Sequence, residues 1–356
     1  MATLVASSSL RAAPGERPAS SVAYDWANVA TASCMGLGAY IDGWAHNHAL
    51  ATGGAIETFF TPWHALLYGG FGIVALLLIG SGLFWHARGY GWRDALPRGY
   101  GLSVAGVVIF AAGGVLDMVW HILFGIEAST AALLSPTHIV LVVGAVLIYM
   151  GPARSVLARP STRISWAADG PLVMSLLWLL SSFTFFTQYA SPFASTLAAA
   201  ARKPAYMQWV DLFHALGVAG VALQAALLAG VVLYAVRLGR VPFGTFTVIF
   251  GVNVMLVTVM RVDMISVSPV LLTGAAVLAG LITDVLYRRL QPFAPAPSNL
   301  RIFAFFAPAL LYASYFCTIV AFGGTYWSIH LLTGCVLTAG IIGYLMSYLL
   351  AGPQSA

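Results

Sequence analysis

The sequence predicts an all-α, polytopic integral membrane protein of about ten transmembrane helices arranged as five degenerate helical hairpins. Two observations carry that expectation. The 356 residues are 60% hydrophobic and only 8% charged, with a mean hydropathy of +0.89, which is more apolar surface than a soluble core can hide. Apolar stretches of roughly 20 residues, long enough to cross about 30 Å of hydrocarbon, recur along the chain at 22–41, 62–85, 100–123, 132–151, 170–190, 209–236, 242–260, 265–287, 302–322 and 327–350.

The chain opens with Ser, Ala, Pro and Arg and no apolar run, so 1–21 is expected to be a disordered cytoplasmic tail and not a cleaved signal peptide. The transmembrane domain is expected over 22–351, with two hairpins in 22–151 and three more in 170–351. Residues 352–356 form a short cytoplasmic tail. When the connections are numbered alternately, thirteen of the sixteen Arg and Lys fall on one side and only Arg202, Lys203 and Arg261 on the other. Short cytoplasmic loops carry the basic excess, which places both termini in the cytoplasm of a cell (inner) membrane. The formal charge of +5 is spread over many short loops, which excludes a nucleic-acid surface. The bilayer is the expected partner, along with further copies of the chain or other membrane subunits.

Helix starts are written into the sequence. Thr61-Pro62-Trp63-His64, Ser135-Pro136-Thr137-His138 and Ser268-Pro269-Val270 each place a capping hydroxyl before a proline that loses no hydrogen bond in the first turn. Leu271-Leu272-Thr273-Gly274 recurs as Leu331-Leu332-Thr333-Gly334, which suggests an internal repeat of hairpins. Cys34, Cys317 and Cys335 lie in apolar helices without metal-motif spacing and are expected in the core. Asp284 and Arg288, four apart, are expected to pair at the cytoplasmic surface, and Arg261 is expected to pair with Asp263.

Seven of the eight histidines and six of the eleven acidic residues fall on the side opposite the arginines. An ionisable side chain costs several kcal/mol in a bilayer unless paired, hydrated or metal-bound, so such a cluster points to a site. The first two hairpins repeat one phrase: an Asp, a His four residues later, a loop Glu, then Ser or Thr, Pro, any residue, His. Asp42, His46, Glu57 and His64 form one copy; Asp117, His121, Glu127 and His138 form the other. Residues four apart share a helical face, and Asp211 and His214, three apart, share one too. Together these ten residues are the candidate metal ligands. Nitrogen and oxygen donors without thiolate favour iron, zinc, manganese or copper(II). The phrase is similar to a metal-binding pattern in copper-dependent membrane monooxygenases, but one short pattern assigns no family.

The pattern leads to a metal-dependent membrane oxidoreductase acting on a lipophilic or small substrate. Three other functions fit parts of it: transport of metal ions or protons, haem binding by paired histidines, and a scaffold in which the acids merely neutralise the imidazoles. Plainer roles also exist for single residues, such as an interfacial aromatic belt for His46 and His48 beside Trp44. Phosphate loops, serine-triad arrangements, HExxH pairs and CxxCH motifs are absent from the sequence.

Overall fold

The computed structural model describes residues 16–48, 60–125, 129–160, 163–195, 197, 203–262, 265–292 and 297–350. Among them the chain forms helices and turns without a strand: α1 (Val22–Asn47), α2 (Pro62–Ala87), α3 (Gly101–Phe124), α4 (Ser129–Leu134), α5 (Pro136–Tyr149), α6 (Gly151–Ala158), α7 (Trp166–Phe186), α8 (Met207–Leu238), α9 (Thr245–Met260), α10 (Pro269–Leu290), α11 (Pro297–Phe322) and α12 (Ile329–Ser347). Eight spans are long and apolar enough to cross a membrane, α5 and α6 counting as one. The other two expected spans are also helical. With 16 residues, α9 is short, while the 26 residues of α1 include Asp25, Asn28, Asp42 and His46.

The written helix starts mark the beginnings of α2, α5 and α10. Thr61 accepts from the His64 amide and Ser268 from the Val270 amide, each ahead of a first-turn proline. The expected span at 132–151 is instead divided into α4, α5 and α6. A residue before proline is driven to extended backbone, and a proline inside a helix removes an amide donor. Ser135 accordingly sits at φ −61°, ψ 144°, and Pro152 restarts the chain as α6.

Helices α1 with α2, α3 with α5, α9 with α10, and α11 with α12 pack as adjacent pairs, while α7 packs on α9 and α1 as well as on its sequence neighbour α8. Along α1 and α7 the partners keep one offset. The Trp26 indole donates to the Ala167 carbonyl, the Tyr40 hydroxyl to the Ser181 carbonyl, and the Asn47 amide to Gln188 Oε1, each pair 141 residues apart. A constant offset means that the two helices run parallel in fixed register. Close approach of α1 to α2 depends on glycine. A Cβ on Gly38 would lie 2.8 Å from the Leu66 carbonyl oxygen, and one on Gly70 would lie 2.6 Å from the Met35 amide nitrogen.

The arginine-rich end of the bundle is fastened by three buried aspartates. Asp25 holds Arg159 at 2.7 Å and accepts from the Tyr100 hydroxyl at 2.6 Å. Asp169 holds Arg240 at 2.6 Å and accepts from the Ser165 amide. Asp284 differs from its expected surface pairing, being 1% exposed. It accepts from the Phe246 and Thr247 amides and the Thr247 hydroxyl at 2.7–3.2 Å. The N-cap of α9 is Gly244, which has no side chain for the first-turn amides, so α10 supplies the missing acceptor. The cysteines divide: Cys335 is buried, whereas Cys34 and Cys317 are exposed and not in the core.

Candidate metal centre

Antiparallel pairing brings the C-terminal end of α1 beside the start of α2, and the end of α3 beside the start of α5. Asp42 and His46 on α1 thereby meet His64 on α2, and Asp117 and His121 on α3 meet His138 on α5. Within each trio the three potential ligand atoms lie within 4.8 Å of one another. Both trios line one cavity of about 620 Å³, a volume within the ~300–1,000 Å³ typical of small-molecule sites.

The distances are longer than direct hydrogen bonds and fit either loose ion pairs or donors grouped around an ion. His46 Nε2 and His64 Nε2 lie 3.8 and 3.6 Å from Asp42 Oδ2. His121 Nε2 lies 3.5 Å from Asp117 Oδ2, and His138 Nε2 lies 3.3 Å from Asp117 Oδ1. These exceed the ~2.7–3.2 Å of an N–H···O bond. Three of the four match the edge of a tetrahedron around an ion with bonds of about 2.0–2.2 Å, which is roughly 3.3–3.6 Å, while the 3.8 Å between His46 and Asp42 is longer.

Proton placement is compatible with a bound cation and equally with a protonated ring paired to the carboxylate. His138 Nδ1 bonds the Ala132 carbonyl, and His121 Nδ1 lies 3.4 Å from the Gly125 carbonyl oxygen. A carbonyl can only accept, so each Nδ1 carries hydrogen. A neutral ring in that tautomer turns the Nε2 lone pair toward a carboxylate oxygen. Two lone pairs face each other favourably only if a cation sits between them or the ring takes a second proton. An outer hydrogen bond at Nδ1 is also how metal-bound histidines are oriented. Ser135 serves this purpose in place of capping: its hydroxyl lies 2.9 Å from His138 Nδ1 and makes no cap bond. Thr61 does both, with Oγ1 3.1 Å from His64 Nδ1 and 3.2 Å from the His64 amide.

Asp42 supplies a further test of fit. Its Oδ1 is buried with no hydrogen-bond partner, an arrangement that costs free energy unless something cationic or donating occupies the site.

Of the ten candidate ligands, six converge. Glu57 and Glu127 lie outside the described residues, as does Asp263. Asp211 is exposed on α8, and His214 stacks on Tyr326 with ring centroids 5.3 Å apart, away from either trio. His48 stacks on Trp44 and its Nδ1 bonds the Trp44 carbonyl, as an interfacial residue would. The deep amides are structural: Asn253 accepts from Ser181 and Thr184, and Gln224 donates to Thr187.

Tyr68 and Arg261 line the cavity without standing among the ten expected ligands, and Thr137 supports Asp117. Thr137 donates to Asp117 Oδ1 at 2.7 Å. Tyr68, one turn beyond His64, lies over Gly114 of α3, where a Cβ would come within 2.8 Å of its ring. Arg261 lines the cavity and bonds Asn47 Oδ1 at 3.0 Å. The i+4 spacing from His64 was the available signal for Tyr68, and the Ser-Pro-Thr-His start for Thr137.

Comparison with known proteins finds no family model, curated protein or solved structure that matches the chain. The functional conclusion therefore rests on the geometry alone.

Proposed function

We propose that the two trios each hold a first-row transition-metal ion and that the protein is a membrane oxidoreductase acting on a lipophilic or small substrate. The observation that carries this reading is the convergence of two identical donor sets, each of two imidazoles and one carboxylate, on a single cavity. That donor set, with coordination positions left open, is the one used by non-haem iron oxygenases, and imidazole also suits copper and zinc. A redox metal bound there would supply electron transfer. The chain's own residues orient the imidazoles, through Ser135, Thr61 and the Ala132 and Gly125 carbonyls. They also surround the site with apolar helices that limit water. The matching layout of the two hairpins supports their origin by duplication.

The arginine distribution supports a site end facing the periplasm or exterior, with both termini cytoplasmic. A metal would then load from outside the cytosol.

Elemental analysis of detergent-purified protein tests the proposal. Wild type should carry about one ion per trio, and a His64→Ala, His138→Ala double variant should lose both. Equal and negligible metal in the two proteins would leave a structural role for the cluster.

A further inference from the structure

The cavity extends well beyond the two trios. On α1 its wall runs from His46 inward to Met35, and on α5 from His138 inward to Tyr149. Each stretch covers eleven helical steps, about 16 Å at 1.5 Å per residue, so the two walls independently give the same depth. Small side chains, Ala39 and Ala145, line this arm. Its inner end is lined by the rings of Tyr149 and Trp178, stacked 5.5 Å apart. The remaining wall is α7, held against α1 because Gly36 and Gly43 leave room for the Trp178 and Phe185 rings.

At the opposite end, Arg261 is the guanidinium among the described residues lining the cavity. Its Nη1 donates to Asn47, its Nε is buried with no hydrogen-bond partner, and no carboxylate pairs with it among the described residues. A guanidinium is a planar fork suited to two oxygens of one carboxylate. A cation with no carboxylate partner among the described residues, beside an apolar channel, suits an anion that carries an apolar tail.

We infer that the arm binds one long-chain carboxylate, head at Arg261 and chain running inward between α1, α5 and α7. The proposed occupant is a single-chain acid, because one guanidinium matches one carboxylate head, and not a two-chain phospholipid. Binding itself needs no metal. That the bound chain is the substrate rests on the metal reading above, because the trios flank the segment of chain nearest the head.

Titration of dodecanoate and dodecanol into the full-length protein in lipid nanodiscs, against empty discs, tests the inference. Dodecanoate should bind saturably, one per protein, and about tenfold or more tighter than dodecanol, the worth of a charge-assisted hydrogen bond. Arg261→Gln should reduce dodecanoate to the dodecanol level. Ala145→Phe and, separately, Ala39→Leu should weaken both ligands while the unfolding temperature of at least one variant stays near wild type. Equal affinity for acid and alcohol, no saturable binding above empty discs, or an unchanged Arg261→Gln protein would overturn it. Dodecanoate binding that persists in a wild type found to be metal-free would remove the metal reading and leave this one standing.

Discussion

Thr137 donates a 2.7 Å hydrogen bond to Asp117, whereas the matching position in the first hairpin is Trp63 and Asp42 Oδ1 is left without a partner. The trios are therefore alike in ligands but unlike in what supports them. Removing an outer hydrogen bond to a ligating carboxylate typically costs 10- to 100-fold in metal affinity. Thr137→Val should weaken one of two binding phases by about tenfold or more and leave the other unchanged. Titration of the metal-stripped protein would read this directly, and a two-phase curve identical to wild type would count against it.

The trios should also be separable by their own ligands. Asp42→Ala should lower bound metal by one equivalent while the Asp117 trio keeps its ion, as measured by elemental analysis. Loss of all metal would mean that one ion is shared.

Helix spacing sets the first trio through residues that touch no metal. Gly38 and Gly70 let α1 and α2 approach until backbone meets backbone, where a Cβ finds main-chain atoms at 2.6–2.8 Å that cannot yield. Gly70→Val should cost about 1–3 kcal/mol as overpacking and should part Asp42 from His64. The expected result is selective loss of metal from the first trio in a protein that still folds. Retention of full metal would show that spacing here is tolerant.

The far end of the bundle should dominate stability. Arg240→Ala strands Asp169, whose side chain is fully buried, as an unpaired charge, which typically costs about 3–5 kcal/mol. Asp284→Ala uncovers the first amides of α9 and should cost about 1–3 kcal/mol. Thermal unfolding in nanodiscs should rank Arg240→Ala below Asp284→Ala, and both below an exposed change such as Asp211→Ala.

The spans and six of the candidate ligands were legible because both are local signals. Hydropathy over 20 residues marks a span, and an Asp with a His four residues later marks a helical face whatever packs against it. Asp211 and His214, three apart, also share a helical face, yet α8 turns them away from the cavity, which only tertiary packing decides. Asp284 misled for the same reason. Its i+4 arginine suggests a surface pair, while its true partners are amides 37 and 38 residues away on α9. Arg261 belonged to the cavity through Asn47, 214 residues distant in sequence, and no pattern within one helix encodes that.

The unvarying step between α1 and α7 has a mechanical corollary. Rungs at Trp26, Tyr40 and Asn47 would all have to break together for one helix to slide along the other, so the distance from the trios to the stacked rings is gauged once, at folding. Such an enclosure would measure what enters it, and a guest one helical turn too long could not seat its head at Arg261.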